Sequence, residues 1–143
     1  MAIRIIVADD HTLIRETLSS YLQQQEDMEV VGQAADGQTV MELTTQLQPD
    51  VVVMDVSMPP ELSGLEATRW ISTTWPNVKV IALSMYAGRR YVAEMLKAGA
   101  CGYLLKDVDF DDLVTAVRAV AQGKTYISSA VKVDPVAPQG EAR

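Results

Sequence analysis

The sequence predicts an α/β fold in which a parallel five-stranded sheet is covered by helices on both faces. Five short apolar runs alternate along the chain with segments whose apolar residues recur at helical spacing. Runs that are apolar at nearly every position are typical of strands buried on both faces of a parallel sheet. With right-handed crossovers, a sheet wound in both directions takes the strand order 2-1-3-4-5, which is the three-layer, flavodoxin-like (βα)5 arrangement.

The first half of the chain is predicted to contain two strand–helix pairs and a third strand. The strands follow from the apolar runs at residues 2–8, Met28–Ala34 and Val51–Asp55. The helices follow from apolar residues at helical spacing, over Leu13–Leu22 and Val40–Leu47. The Asp36-Gly37 turn precedes the second helix, which must stop before Pro49.

The second half continues the same alternation. The predicted elements are a helix at Leu65–Thr74, a strand at Val78–Ser84, a helix at Arg89–Lys97, a strand at Gly102–Lys106 and a fifth helix that ends at Gly123. Gly99 is suited to the left-handed conformation that ends a helix. Asp109 is suited to capping the fifth helix, whose buried side is predicted to include Phe110, Leu113 and Val117.

The composition excludes several classes of function. A net charge of −7 argues against a nucleic-acid-binding surface on these 143 residues. The single cysteine, Cys101, permits no internal disulfide, which favours a reducing, cytoplasmic location. No apolar run approaches the ~20 residues that a membrane-spanning helix needs, so we expect no contact with a membrane.

The carboxyl ends of four predicted strands carry polar side chains, either as the last residue of the strand or directly after it. They are Asp9 and Asp10, Asp55, Ser84 and Lys106. Ligands of open α/β sheets bind at the carboxyl ends of the strands, where these side chains would gather. The second strand, which ends in Ala34-Ala35, lies at the sheet border and contributes no such group.

These side chains suit a divalent cation and a phosphoryl group. Carboxylates held close together repel unless a cation compensates, and Mg²⁺ is typically bound by one or two carboxylates plus a substrate phosphate. Lys106 and Ser84 supply an ammonium and a hydroxyl for phosphoryl oxygens. Because an aspartate carboxylate is a competent nucleophile, we expect Asp55 to accept a phosphoryl group.

At these residues the chain resembles the receiver domain of bacterial two-component response regulators. The matching pieces are Asp9-Asp10-His11, Asp55-x-x-Met58-Pro59, Leu83-Ser84 and Lys97 to Lys106, and the resemblance covers residues 2 to about 127. The segments Asp9–Arg15, Gly64–Ala67 and Gly123–Ser128 are most similar to the subfamily with a C-terminal LuxR-type helix-turn-helix.

The resemblance implies a role for each residue. Asp55 would be the phosphoacceptor for a sensor histidine kinase, and Ser84 and Lys106 would hold the phosphoryl group. Asp9, Asp10, Asp55 and the backbone carbonyl of Ser57 would bind Mg²⁺. Tyr103 would swing inward when Ser84 moves. The domain would act as a switch rather than an enzyme, with dimerisation on phosphorylation and self-dephosphorylation as further expectations.

Two segments carry separate expectations. Residues 1–127 are assigned to the receiver and residues 128–143 to a linker or tail, which we expect to lead to a DNA-binding domain outside this sequence. DNA contact is expected only through that domain. The turn from Pro59 to Gly64 is one residue longer than is usual in the family, and we hypothesise that it places Glu61 near the metal.

Three alternatives compete with this interpretation. A stand-alone receiver would act through protein contacts alone. A phosphatase of the haloacid dehalogenase type would also use a strand-end aspartate and Mg²⁺, but the position of its general acid is occupied by Ser57. A flavodoxin-like electron carrier should have a first loop rich in Ser, Thr and Gly, where this chain has Asp-Asp-His.

Overall fold

The fold is an alternation of parallel strands and helices, seen in a computed structural model that describes residues 2–58, 63–86, 88–107 and 109–128. Within these ranges the strands are β1 (Ile3–Ala8), β2 (Met28–Ala34), β3 (Val51–Asp55), β4 (Lys79–Ser84), β5 (Gly102–Leu105) and β6 (Tyr126–Ile127). The helices are α1 (Thr12–Gln23), α2 (Gly37–Leu47), α3 (Ser63–Thr74), α4 (Arg89–Lys97) and α5 (Phe110–Ala121). No helix in the described part of the chain is long and apolar enough to cross a bilayer.

The strands form one parallel sheet in the order β2-β1-β3-β4-β5-β6. The predicted order of the first five strands is confirmed. The sixth strand was not predicted, because two residues are too few to show a strand pattern. It pairs Tyr126 with Gly102 and Ile127 with Tyr103, which extends the sheet beyond β5.

Two apolar layers explain why the central strands are apolar at nearly every position. Alternate residues of β1 point to opposite faces. Ile5 and Val7 belong to a buried cluster with Leu22 of α1 and Val117 of α5. The intervening residues Ile6 and Ala8 belong to a second cluster, which includes residues of α2 and α3. Both faces of the sheet are therefore covered by helices.

The helix ends follow local signals in the sequence. The Asp36 carboxylate accepts a hydrogen bond from the backbone of Thr39 at 2.8 Å, and the Asp109 carboxylate accepts one from Asp111 at 3.0 Å. The capping role predicted for Asp109 is therefore confirmed. Gly99, just after α4, has φ of 110°, the left-handed conformation expected of it. A side chain at Gly99 would also collide with Ser72 of α3.

Two of the sequence-based expectations concern residues outside the described ranges. The hypothesis that Glu61 lies near the metal cannot be compared with the structure, because residues 59–62 lie outside these ranges. Residues 129–143 lie outside them as well. Ser128, the first residue of the predicted tail, is buried, with 3% of its surface exposed. The folded unit therefore continues to that residue.

Candidate functional site

The register of β1 and β3 brings the predicted acidic residues together. Ala8 pairs with Met54, so Asp9, just after β1, and Asp55, the last residue of β3, lie at the same level on neighbouring strands. Both carboxylates are buried, with side-chain exposures of 0% for Asp9 and 1% for Asp55. Asp10 is partly exposed at 31%. The strand register therefore brings these acids together at the carboxyl edge of the sheet, as predicted.

Lys106 is the cation between the two buried carboxylates. Its Nζ lies 3.1 Å from Oδ2 of Asp55 and 3.0 Å from Oδ2 of Asp9. The lysine side chain is itself only 5% exposed. Burial opposes its charge, but hydrogen bonds to Asp9 and Asp55 outweigh that cost and raise the pKa of Lys106. The ammonium therefore stays protonated between the two acids.

The pKa of Asp55 is raised despite this lysine. Burial is the main cause, and the neighbouring charge of Asp9 adds to it. The backbone N–H of Ser57 donates to Oδ1 of Asp55 at 3.0 Å, and this bond, together with Lys106, acts in the opposite direction. The negative charge on Asp55 is thus under-compensated, and an added cation would stabilise it.

Two further residues hold Asp9 in position. The backbone N–H of His11 donates to Oδ1 of Asp9 at 2.8 Å, and the guanidinium of Arg15 donates to the carbonyl of Asp9 at 2.9 Å. The Nδ1 atom of His11 lies 3.0 Å from Nζ of Lys106. Arg15 has no role among the predictions from the sequence. The sequence feature that could have indicated this contact is the position of Arg15, four residues after His11 and on the first turn of α1.

The donor atoms suit a divalent cation. Asp9, Asp10, His11 and Asp55 each offer a ligand atom, and these atoms lie within 4.8 Å of one another. Among the described residues, Oδ1 of Asp10 is buried and receives no hydrogen bond. A buried carboxylate oxygen is rarely left without a partner. Because carboxylate oxygens are the ligands that Mg²⁺ prefers, the residues present fit this ion.

Ser84 and Tyr103 lie beside this acidic cluster, on the side of β4 and β5. Ser84 is buried, and its Oγ accepts a hydrogen bond from the backbone of Tyr86 at 3.0 Å. Tyr103 is fully buried, and its hydroxyl donates to the carbonyl of Tyr86 at 2.6 Å. Burial raises the pKa of Tyr103. Ser84 and Tyr103 therefore both bond the same residue, Tyr86, which follows β4.

The fold and the site together define a class of protein: a doubly wound α/β domain with two buried carboxylates and one lysine at the carboxyl edge of its sheet. The family model described as "Response regulator receiver domain" matches residues 5–118. The chain belongs to this family. Receiver domains of this type are signalling switches and not enzymes, which decides against the phosphatase and electron-carrier alternatives.

Individual relatives are regulatory proteins of bacteria. The oxygen regulatory protein NreC of Staphylococcus epidermidis is 46% identical over 124 residues, which are 87% of this chain and 57% of NreC. This chain therefore spans little more than half the length of that relative.

Solved structures agree with this assignment. A LuxR-family two-component response regulator from Aurantimonas sp. has a TM-score of 0.86 at 31% identity, over 92% of this chain and 93% of that one. The isolated receiver domain of RcsB from Salmonella enterica serovar Typhimurium, solved with the phosphomimetic BeF3⁻, has a TM-score of 0.81 at 26% identity, over 92% and 96% of the two chains.

Proposed function

We propose that Asp55 accepts a phosphoryl group from a histidine of a sensor kinase and that this event switches the conformation of the domain. The observation that carries the proposal is the burial of Asp55 beside Asp9, with one lysine between them. A structural salt bridge would need one acid for one lysine. Here the negative charge exceeds the positive charge, as a site that takes up a cation requires.

The chemistry needs one bond exchange. A carboxylate oxygen of Asp55 attacks phosphorus, a P–O bond forms, and the P–N bond to the donor histidine breaks with its electron pair moving to the imidazole. Lys106, now 3.1 Å from Oδ2 of Asp55, is close enough to move to a phosphoryl oxygen. Hydrolysis of the resulting acyl phosphate by water would reset the domain, so we include self-dephosphorylation in the proposal.

Mg²⁺ is part of the proposal. Asp9, Asp10 and Asp55, with the backbone carbonyl of Ser57, would hold the ion. When bound, Mg²⁺ neutralises charge on the transferring phosphoryl group. The chain's own contribution is to keep Asp9 in place through His11 and Arg15. Oδ1 of Asp10, which is buried and accepts no hydrogen bond from the described residues, supports this assignment.

The conformational response would pass through Ser84 and Tyr103. A phosphoryl group on Asp55 offers new oxygens to the Ser84 hydroxyl, which now accepts from the backbone of Tyr86. Movement of Ser84 would therefore shift Tyr86, whose carbonyl holds the Tyr103 hydroxyl. This chain of bonds supports a two-state switch biased by charge-assisted contacts.

Phosphorylation of Asp55 is directly testable. Incubation with acetyl phosphate and Mg²⁺ should add one phosphoryl group, detected as a mass increase of the intact protein. Asp55→Asn should abolish the increase. Asp27→Asn is the matched control. Asp27 is exposed and pairs with Arg118 at the amino ends of the strands, opposite to the ends that carry Asp55. An unmodified wild type, or an Asp55→Asn variant that is still modified, would refute the proposal.

The cellular role is proposed from the relatives. We propose that the domain works in the cytoplasm, forms a homodimer on phosphorylation and controls transcription through a LuxR-type DNA-binding domain. The match to 57% of NreC supports an additional domain, and the alternative is a stand-alone receiver. Light scattering with and without BeF3⁻ and Mg²⁺ tests dimerisation: the mass should double with both present, and an unchanged mass would contradict it.

A further inference from the structure

The short strand β6 and the residue after it are attached to the residue at the centre of the proposed switch. The backbone N–H of Tyr126 donates to the carbonyl of Cys101 at 2.9 Å, and that of Ser128 donates to the carbonyl of Tyr103 at 3.0 Å. The side chain of Ile127 packs against the buried cluster that contains Tyr103. Each of the residues 126–128 therefore contacts either the backbone of β5 or the apolar cluster around it.

A single carboxylate, Asp112 in the first turn of α5, holds this strand from the side. The Tyr126 hydroxyl donates to Oδ1 of Asp112, and the Ser128 hydroxyl donates to Oδ2 at 2.9 Å. The bond to Asp112 is the main cause that raises the pKa of Tyr126 to about 12. Tyr126 therefore keeps its proton and remains a donor throughout the neutral range.

We propose that residues 126–128 form a latch, closed by Asp112, which ties the position of Tyr103 to the chain beyond residue 128. A two-stranded contact of two residues is marginal by itself, so the side-chain bonds to Asp112 decide whether the latch is closed. The contacts that close the latch are present in the structure whether or not Asp55 is an acceptor, whereas the signalling role of the latch rests on the proposed function of Asp55.

The geometry explains why the latch responds to Tyr103. The Tyr103 side chain is fully buried and bonds the carbonyl of Tyr86, while its own carbonyl holds Ser128. Any shift of the Tyr103 backbone must carry Ser128 with it or break the bond between them. Because packed elements move between discrete arrangements rather than by gradual deformation, the latch follows Tyr103 or opens.

Amide hydrogen exchange of the full chain tests the latch. Asp112→Ala should speed exchange at Tyr126 and Ser128 by about tenfold, because local opening becomes less costly. The matched control is Asp111→Ala. Asp111 is the preceding residue of α5 and accepts the hydroxyl of Tyr21 at 2.9 Å. Equal exchange at Ser128 in the two variants would overturn the latch, and unchanged amides in β1 and β3 would show that both variants are folded.

A second experiment tests whether the latch and the phosphoryl site are coupled. Coupling between two sites is reciprocal, so a change at one must alter binding at the other. If the latch and the phosphoryl site are coupled, Asp112→Ala must change the apparent affinity for BeF3⁻ and Mg²⁺, and Asp111→Ala must not. We expect a change of about threefold or more, and BeF3⁻ should alter Ser128 exchange in the wild type. Binding that is equal in both variants would overturn the coupling. If BeF3⁻ does not bind at all, the proposed function of Asp55 fails, and the exchange comparison still decides the latch.

Discussion

The carboxyl and amino ends of the parallel strands form two edges of the sheet, here called the carboxyl edge and the amino edge. Both edges carry charged residues of the same kinds, but these residues have different kinds of partner. At the amino edge the Arg4 guanidinium donates to the carbonyls of Leu47 and Gln48 at 2.6 and 3.2 Å. The Asp50 carboxylate accepts from the backbone of Arg4 at 2.8 Å. Each of these two side chains has its own backbone partners and lies near water. These bonds join strands and helix ends.

At the carboxyl edge the charges are buried and outnumber their partners. Asp9 and Asp55 share Lys106, and Oδ1 of Asp10 has no hydrogen bond among the described residues. Residue type therefore does not distinguish a structural site from a site that takes up an ion. The balance of buried charge does, because only a cluster with excess buried negative charge gains stability from an added cation.

Removal of Lys106 should give the largest effect on stability. Lys106→Ala leaves two buried carboxylates without a cation, and we expect a loss of about 3 kcal/mol in the free energy of unfolding. Arg4→Ala, the control at the amino edge, should cost about 1 kcal/mol, because water can replace its bonds. Urea denaturation measures both. Equal losses would mean that the two edges do not differ in charge balance.

Mg²⁺ should stabilise the protein through the carboxyl edge alone. At ten times its dissociation constant the ion should add about 1.4 kcal/mol, seen as a higher melting temperature. Asp10→Asn should greatly reduce this gain, while Asp50→Asn should retain it. A gain that survives in Asp10→Asn would place the metal elsewhere.

Neutralising the acceptor should stabilise the protein without metal. Asp55→Asn removes an under-compensated buried charge, so we expect the melting temperature at pH 7 to rise by roughly 3 °C, the effect of about 1 kcal/mol. Asp50→Asn should lower it.

The pH dependence of this gain has a defined sign. Because the pKa of Asp55 is raised in the folded protein, the folded state takes up a proton more readily than the unfolded state. The advantage of Asn over Asp should therefore be full above the folded pKa and disappear as the pH falls through it. A gain that is constant from pH 7 to pH 4 would contradict this explanation.

The smallest effect should come from the exposed pair at the amino edge. Arg118 Nε donates to Oδ2 of Asp27 at 2.9 Å, and this bond lowers the pKa of Asp27. The lowered pKa means that the contribution is present above the ordinary aspartate pKa and is lost as the pH falls through the folded value. Since exposed ion pairs contribute little, Asp27→Asn should hardly change the melting temperature at pH 7. A clear loss, similar to that of Lys106→Ala, would contradict the comparison of edges.

Most of the fold could be predicted because its signals are local. The apolar run of each long strand, the Asp109 cap and the left-handed Gly99 are each read from a few adjacent residues. The β6 strand could not be predicted in this way. Its two residues form a strand because β5 offers an unpaired side and Asp112 bonds the Tyr126 hydroxyl. Both causes are distant in sequence.

The side chains that reach the carboxyl edge can be predicted from the sequence alone, because strand ends and strand order place Asp9, Asp55 and Lys106 there. The balance among them is a property of the tertiary structure: how deeply each acid is buried, that one lysine serves two of them, and that Oδ1 of Asp10 accepts no hydrogen bond from the described residues. The physical reason is that burial and hydrogen bonding depend on every element packed around a group, whereas periodicity depends only on its neighbours in the chain.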